Sequence, residues 1–464
     1  MPAVFISAAH KSSGKTTLSI GLCAALRKAG TEVQPFKKGP DYIDPMWLSA
    51  ASGRPCYNLD FYTMEHTEIR TLYARHGAAA ELSLIEGNKG LYDGLDLQGA
   101  NSNAALAGFL GVPVILVLDA RGMTRGIAPL VLGYQAFDPS LKLSAVILNQ
   151  VGGSRHESKL RAILEHYTDV AVIGAVHRNP ALTIDERHLG LVPSNESGRI
   201  IQKIDTIANL VAAQVDLERL HGIAQTAAAV AAENTMPCSD AGAPVRIGVI
   251  RDSAFGFYYP DDLAAFEQAG ARLVFIDALH DHRLPAIDGL FIGGGFPETH
   301  LDTLAANTAL RALLKTRIEQ GLPTYAECGG LMYLARSIQW HGNRTDMVGV
   351  IPGDIVMHDR PQGRGYVTLQ PTTDHPWPGA GDNPAIHAHE FHYSSLENLP
   401  GHSRFAYRVT RGTGISQHRD GLILYNLLAN YSHFRNLNNN RWVGQFLRFV
   451  RQHRSVADGT ASRH

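Results

Sequence analysis

Short aliphatic and β-branched runs alternate with helix-sized patterns through the first 220 residues: Val4–Ser7, Leu18–Ala29, Val33–Phe36, Leu82–Glu86, Val114–Asp119, Ala145–Asn149 and Val170–Ala175. Apolar strands separated by crossover helices are the pattern of βαβ units on a parallel sheet covered on both faces. Residues 200–221 then carry an apolar stripe at helical spacing through Ile201, Ile204, Ile207, Leu210, Val211, Val215 and Leu217. The composition next turns to Ala, Gln, Asn, Ser and Pro, which predicts a linker over 222–244. Strand-like runs resume at Val245–Ile250, Arg272–Ile276, Gly289–Ile292 and Pro323–Tyr325, so the second half is another α/β domain. From about residue 343 the helical rhythm gives way to Gly, Pro and Asp turns, which suits an antiparallel or mixed sheet extension. The expected organisation is therefore α/β throughout: a domain over 1–221, a linker over 222–244, a second domain over 245–452 and a polar, frayed tail over 453–464. At ~150 residues per domain, a chain of 464 residues fits three domains or two large ones.

Composition removes several classes of function. Apolar residues make up 45% and charged residues 18%, enough to build sizeable cores. With 42 basic and 43 acidic residues there is no global field to hold a nucleic acid or an anionic membrane, so any anion is bound locally. Cys23, Cys56, Cys238 and Cys328 are widely spaced and form no C-x-x-C pair, against a disulfide framework or a thiolate zinc site and in favour of a reducing, cytoplasmic setting. The N-terminal residues do not read as a secretory signal, and no apolar run approaches the ~18–20 residues of a membrane span.

After the strand Val4–Ser7 comes Ala8-Ala9-His10-Lys11-Ser12-Ser13-Gly14-Lys15-Thr16-Thr17, followed by a helical pattern. This is a phosphate loop in which Ala8 replaces the first glycine. Backbone amides of Ser12, Ser13, Gly14 and the helix start would cradle phosphates of ATP, Lys15 would reach the β and γ groups, and Thr16 would ligate Mg²⁺ beside Thr17. Lys11 reads either as a second phosphate contact or as a solvated loop lysine. The segment Lys37-Lys38-Gly39-Pro40-Asp41-Tyr42-Ile43-Asp44-Pro45 forms a rigid loop at the carboxyl edge of the sheet, where α/β proteins place ligands. Asp41 and Asp44 read either as metal or substrate groups or as turn chemistry beside proline. The strand Leu82–Ile85 delivers Glu86 at the position of a metal-binding acid, with Asp93 following in the same loop. We assign Thr16, Asp44 and Glu86 to Mg²⁺, Asp41, Tyr42 and Asp93 to the second substrate, and Asn149, at a further strand end, to the nucleotide.

In the second half, Thr324-Tyr325-Ala326-Glu327-Cys328-Gly329-Gly330-Leu331 reads as strand, sharp turn and helix start with a cysteine at the elbow. Helix amides aimed at the sulfur favour a thiolate, and the two glycines leave room for a tetrahedral intermediate. Gly293-Gly294-Gly295 after an upstream strand is a source of oxyanion donors. His433 is the best-placed base. The rival His387-Ala388-His389-Glu390-Phe391-His392 cannot put all three histidines on one face of a strand, which argues against zinc.

These stretches, together with Asp119-Ala120-Arg121-Gly122-Met123, Glu186-Arg187-His188-Leu189-Gly190-Leu191-Val192-Pro193 and His389-Glu390-Phe391-His392-Tyr393-Ser394, resemble the cobyrinic acid a,c-diamide synthase family from residue 1 to about 450. The resemblance implies an ATP-dependent amide ligase domain, similar to dethiobiotin synthetase, joined to a class I glutamine amidotransferase domain. It implies that Cys328 attacks the side-chain amide of L-glutamine with His433 assisting, and that amides of Gly294 and Gly329 form the oxyanion hole. Ammonia would then aminate a carboxylate of a tetrapyrrole, activated as an acyl phosphate, at the a and then the c acetate. Ligases of this class often complete their site across a homodimer. Class I amidotransferases generally carry His-x-Glu, whereas here the third position is Arg435, which implies slow glutamine hydrolysis or a substituted acid. Related amidases act on sirohydrochlorin, nickel-sirohydrochlorin and sirohaem, so the ring stays open at this point. A regulatory phosphate-loop ATPase with an inactive amidotransferase-like half is the alternative from another class.

Overall fold

A computed structural model describes residues 1–184, 186–187, 190–196, 200–230, 242–382 and 385–461, divided into two compact units, Met1–Thr235 and Met236–His464. The anticipated linker overlaps ordered structure at its start, because a helix spans Leu217–Ala224. Its residues 231–241, with Cys238, lie outside the described residues, as do His188 and Leu189.

The first unit is built on seven strands: β1 (Ala3–Ala8), β2 (Val33–Lys38), β3 (Tyr57–Leu59), β4 (Leu82–Glu86), β5 (Val114–Asp119), β6 (Leu143–Val151) and β7 (Ala171–His177). They pair in parallel in the order β3-β2-β4-β1-β5-β6-β7. Every residue of β1, β2 and β4 is buried, which explains why these strands read as continuous rather than alternating runs. Parallel pairing puts all the carboxyl ends on one edge. Register aligns Ile6 of β1 and Lys37 of β2 with the same residue, Glu86 of β4.

The helix α1 (Lys15–Lys28) follows β1 and packs against the helix Ile200–Ala212, whose buried face is Ile204, Ile207, Ala208 and Val211. The apolar stripe over 200–221 is broken into two helices, and Ile201 faces solvent at 73% exposure instead of joining the core. Close approach is possible because Gly21 has no side chain. A Cβ there would come within 2.5 Å of Val211 Cγ2.

The second unit centres on nine strands in the order Ala271–Ile276, Val245–Ile250, Gly289–Ile292, Thr324–Glu327, Leu427–Asn430, Arg419–Leu424, Arg404–Arg411, Gly363–Pro371, Ile386–His392. The first five are parallel and the rest antiparallel, so the mixed extension expected from about 343 is present. A second sheet of four strands begins earlier, at Ala335–Trp340. Tyr325, Phe291, Trp442 and Phe446 fill one face of the main sheet and Ile292, Ala326, Leu331 and Ala429 the other. The final helix runs Trp442–Ala461, past the boundary at 453 expected from composition, since Trp442, Phe446 and Val450 anchor its start on the sheet. Among the described residues no helix is long and apolar enough to cross a membrane.

Two tests follow from this packing. Gly21→Val forces α1 off its neighbour and lowers stability by about 1–3 kcal/mol, the usual scale of overpacking, read as a shift of the urea midpoint. In the second unit His375 accepts from the Trp377 amide at Nδ1 (3.1 Å) and meets the Tyr407 hydroxyl at Nε2 (2.6 Å), and burial depresses its pKa from 6.5 to about 4. The unfolded chain takes up this proton first, so the contribution is intact above about pH 6.5 and is lost progressively toward about pH 4. His375→Gln therefore flattens the acid side of a stability–pH curve measured by denaturant unfolding.

Candidate active site

The phosphate loop leaves the centre of the first sheet. Ala8 is still in β1 and fully buried, so extended backbone suffices where the usual motif has a glycine. Left-handed backbone enters later, at Ser12 (φ 64°) and Gly14 (φ 85°). Alternation of this kind turns successive amides to one side and makes an anion-binding nest. Asn149 holds the turn from beneath: its Nδ2 donates to the Ser13 carbonyl at 2.9 Å and would meet a Cβ on Gly14 at 2.2 Å. Its amide group thus braces the loop that Lys15, Thr16 and Thr17 complete. Lys15 is buried, and burial together with Lys37 lowers its pKa.

Three carboxylates come near Thr16 and Lys37. Thr16 Oγ1 donates to Glu86 Oε1 (2.7 Å) and Asp44 Oδ2 (3.2 Å), while Lys37 Nζ lies 2.5 Å from Asp44 Oδ2, 3.0 Å from Glu86 Oε1 and 3.7 Å from Asp41 Oδ2. Burial opposes the charge on Lys37, but the carboxylates of Asp44, Glu86 and Asp41 outweigh it and hold the ammonium charged. Lys37 was not singled out from sequence. The available signal was a pair of lysines ending a short strand just before the loop of Asp41 and Asp44.

Asp41 and Asp44 take different roles. Asp41 Oδ1 accepts the amides of Ile43 (2.9 Å) and Asp44 (3.2 Å), capping the helix α2 (Ile43–Ser52), whereas Asp44 turns into the cluster. Tyr42, between them, is buried. Asp93 is exposed and accepts the Gly90 amide at 2.9 Å, closing a turn. Asn103, also unremarked in the sequence, fastens the loop after Glu86 through Asn88 and the Gly90 carbonyl. Lys38 points elsewhere, to the carbonyl and side chain of Asn101.

Glu86 Oε2 is buried without a hydrogen-bond partner, next to a threonine hydroxyl and a second carboxylate. Hard oxygen donors of this number suit Mg²⁺, which keeps several waters and takes its remaining ligands from phosphate. Among the described residues no group of three or more His, Cys, Asp or Glu side chains is arranged to hold a metal.

In the second unit, three adjacent strands each end in one part of a site. Gly289–Ile292 leads into Gly293–Gly295, Thr324–Glu327 into Cys328, and Leu427–Asn430 into His433. Cys328 occupies a left-handed elbow (φ 47°, ψ −101°) at the N-terminus of the helix Gly329–Leu334. Burial and the Glu298 carboxylate push its thiol pKa up, while the Gly329 amide, bonded to it, pulls the other way. A Cβ on Gly294 would strike His433 Cε1 at 2.5 Å, and one on Gly329 would reach the Gly295 amide nitrogen at 2.8 Å. Gly294 therefore lies against the base and Gly329 against the Gly295 backbone. The Gly293 amide is taken by the Tyr258 hydroxyl at 2.9 Å.

His433 is buried, and its ring stacks on His389 with centroids 5.0 Å apart. Burial, then His433 and Arg435, hold His389 well below the usual imidazole range, so it stays neutral. His392 stacks on Tyr431 at 3.8 Å. The strand turn that carries His433 is fixed by Asp420, whose carboxylate accepts the amides of Gly421, Tyr431 and Ser432 and the Ser432 hydroxyl. Arg435, where the usual acid would stand, reaches Asp261 instead.

Comparison with known proteins accounts for both halves. Residues 5–192 match the CobQ/CobB/MinD/ParA nucleotide binding domain, and residues 246–441 match the CobB/CobQ-like glutamine amidotransferase domain. A protein of Magnetococcus marinus named cobyrinate a,c-diamide synthase is 44% identical over 463 residues, covering 98% of this chain and 99% of its own. Proteins of the same name from Methanosarcina acetivorans (40% identical; 93% and 92% covered) and Archaeoglobus fulgidus (39% identical; 97% of each covered) are also similar. With a phosphate loop in one unit, a cysteine elbow in the other and relatives matched along nearly their full length, the chain belongs to the cobyrinate a,c-diamide synthase family.

Proposed function

We propose that the chain is an ATP- and glutamine-dependent amidoligase that converts the a and c acetate carboxylates of cobyrinate to carboxamides. The observation that carries this reading is the pairing of a buried cysteine elbow and histidine with a phosphate loop, in a chain whose full-length relatives bear that activity in their name. That name also favours the corrin ring over sirohaem and its precursors.

In the second unit His433 takes the thiol proton of Cys328 and the sulfur attacks the glutamine amide carbon. The oxyanion that forms accepts amides of Gly294 and Gly329, a contribution worth about 10²–10³ in rate per donor in comparable sites. Collapse breaks the C–N bond, His433 returns its proton to the leaving nitrogen, and water hydrolyses the thioester to glutamate. Ammonia is consumed in the first unit. There the γ-phosphoryl group passes to a ring carboxylate, ammonia attacks the acyl phosphate, and phosphate leaves.

Amides of Ser12, Ser13 and Gly14 cradle the phosphates, Lys15 offsets the charge on the γ group, Thr17 extends the loop, and Asn149 keeps it taut. Thr16, Asp44 and Glu86 would hold Mg²⁺, which would supply charge neutralisation at the nucleotide phosphates. Lys37 balances the two carboxylates from the protein side. Asp41 and Asp93 serve the acceptor by fixing their loops, with Tyr42 between cap and cluster. A homodimer acting in the cytoplasm on soluble substrates completes the reading.

Mass spectrometry of reactions with ATP, Mg²⁺, glutamine and cobyrinic acid tests it, since each exchange of carboxylate for carboxamide lowers the mass by about one dalton. Two successive steps are expected, and parallel reactions on sirohydrochlorin and sirohaem should stay unchanged; product on those rings alone would replace the corrin in this scheme. Cys328→Ala should lose amidation with glutamine but keep it with ammonium salts. Lys15→Ala should slow amidation at least about 100-fold with either nitrogen source, as expected for loss of a transition-state charge contact.

A further inference from the structure

The His433 ring needs a partner at Nδ1, because a base that accepts a thiol proton at Nε2 works in the tautomer with its other proton on Nδ1. The residue two places on, where related amidotransferases carry glutamate, is Arg435. It is buried, bonds Asp261 Oδ2 through Nε (3.1 Å) and Nη2 (2.8 Å), and stacks over the Tyr259 ring. It offers no acceptor.

A carboxylate does face Nδ1 from the neighbouring strand. Glu327 is 2% exposed, and its Oε2 lies 3.4 Å from His433 Nδ1. Its other oxygen is fixed twice: Oε1 accepts the Tyr325 hydroxyl at 2.6 Å and the Phe434 amide at 2.8 Å. The Tyr325 hydroxyl in turn accepts Asn430 Nδ2 at 3.2 Å. Tyr325 and Glu327 are two apart on one strand and share a face, so the sheet itself aims this relay. His389 stacks on a face of the imidazole.

We infer that Glu327, the residue immediately before the nucleophile, is the positioning acid of the glutaminase site and holds His433 in the tautomer and orientation that accept the Cys328 proton. The inference rests on the reading that Cys328 hydrolyses glutamine. The 3.4 Å separation is of the kind that tightens when substrate binds. When His433 carries the thiol proton, the imidazolium lies against a carboxylate already oriented by two donors, and the proton returns to the departing nitrogen without Glu327 changing its own protonation.

Glu327→Gln separates this role from packing. Glutamine keeps an oxygen for Tyr325 and Phe434 but presents an NH₂ group to Nδ1, which cannot accept its proton. Glutamate release by the full chain should fall in kcat by about 100-fold or more, with KM for glutamine within about twofold, the split expected when a base is mis-set but the pocket is intact. A kcat within about threefold of wild type, or a loss matched by an equal rise in KM, overturns the role. Tyr325→Phe, which removes one of the two donors to Oε1, gives a second reading: a fall in kcat of about threefold to tenfold at constant KM supports the relay, and a change in KM alone counts against it. Cys328→Ala in the same assay keeps the two questions apart. If glutamate release survives there, the cysteine reading fails; if it is abolished there and unchanged in Glu327→Gln, only the acid is wrong.

Discussion

The amide of Cys328 donates to the carbonyl of Asn430 at 2.7 Å, and this bond joins the elbow to the strand that carries the base. It continues the parallel register in which Glu327 lies opposite Asn430. Left-handed backbone at a residue with a Cβ costs of order 1–3 kcal/mol and persists only where its surroundings over-determine it. Here the amide is held by the next strand, the carbonyl accepts the Met332 amide at 3.0 Å, and a Cβ on Gly330 would lie 2.4 Å from the Ile292 carbonyl. The conformation that exposes the sulfur is therefore imposed by the sheet on both sides.

Both units bury charge by surrounding it with fixed partners of the opposite polarity. Asp420 is fully buried and receives three amides and a hydroxyl, and the chain it organises is the one that ends in His433. In the first unit the opposite sign is buried: Lys37 sits among carboxylates whose loops come from β2 and β4. Neither ion could be left alone without a large desolvation cost. Each has become a strut for a ligand-facing loop.

What the sequence disclosed follows from how far apart the interacting residues lie. Gly14, Lys15 and Thr16, or Cys328 and its two glycines, form contiguous motifs whose local backbone is the function, so they are legible without tertiary contacts. Most strands of the first sheet were legible as well, through continuous hydrophobic runs, although their order in the sheet and the short strand Tyr57–Leu59 were not. Asp41 and Asp44 share a composition and a loop, yet one caps a helix and the other enters the cluster, a difference of direction that spacing does not encode. Asn149 was visible as a strand-end amide, but its partner is the Ser13 carbonyl. The acid facing His433 escaped because its bond to the adjacent Phe434 amide spans 107 positions of sequence. The final helix extends past its compositional end because aromatic anchors at its start, and not the polarity of its last residues, decide that it forms.

Glu327 and Cys328 are joined by a single peptide bond, whereas His433 is held by a different strand and by Asp420. Nucleophile and acid thus share one strand end, and the base comes from the next strand, tied back to the acid through the Phe434 amide. In amidotransferases with the acid two residues after the histidine, the grouping is reversed, and acid and base travel together. Here the bonds that cross between the strand ends, from the Cys328 amide to Asn430 and from the Phe434 amide to Glu327, keep the imidazole beside the acid. The register of two neighbouring strands thus sets nucleophile, acid and base together.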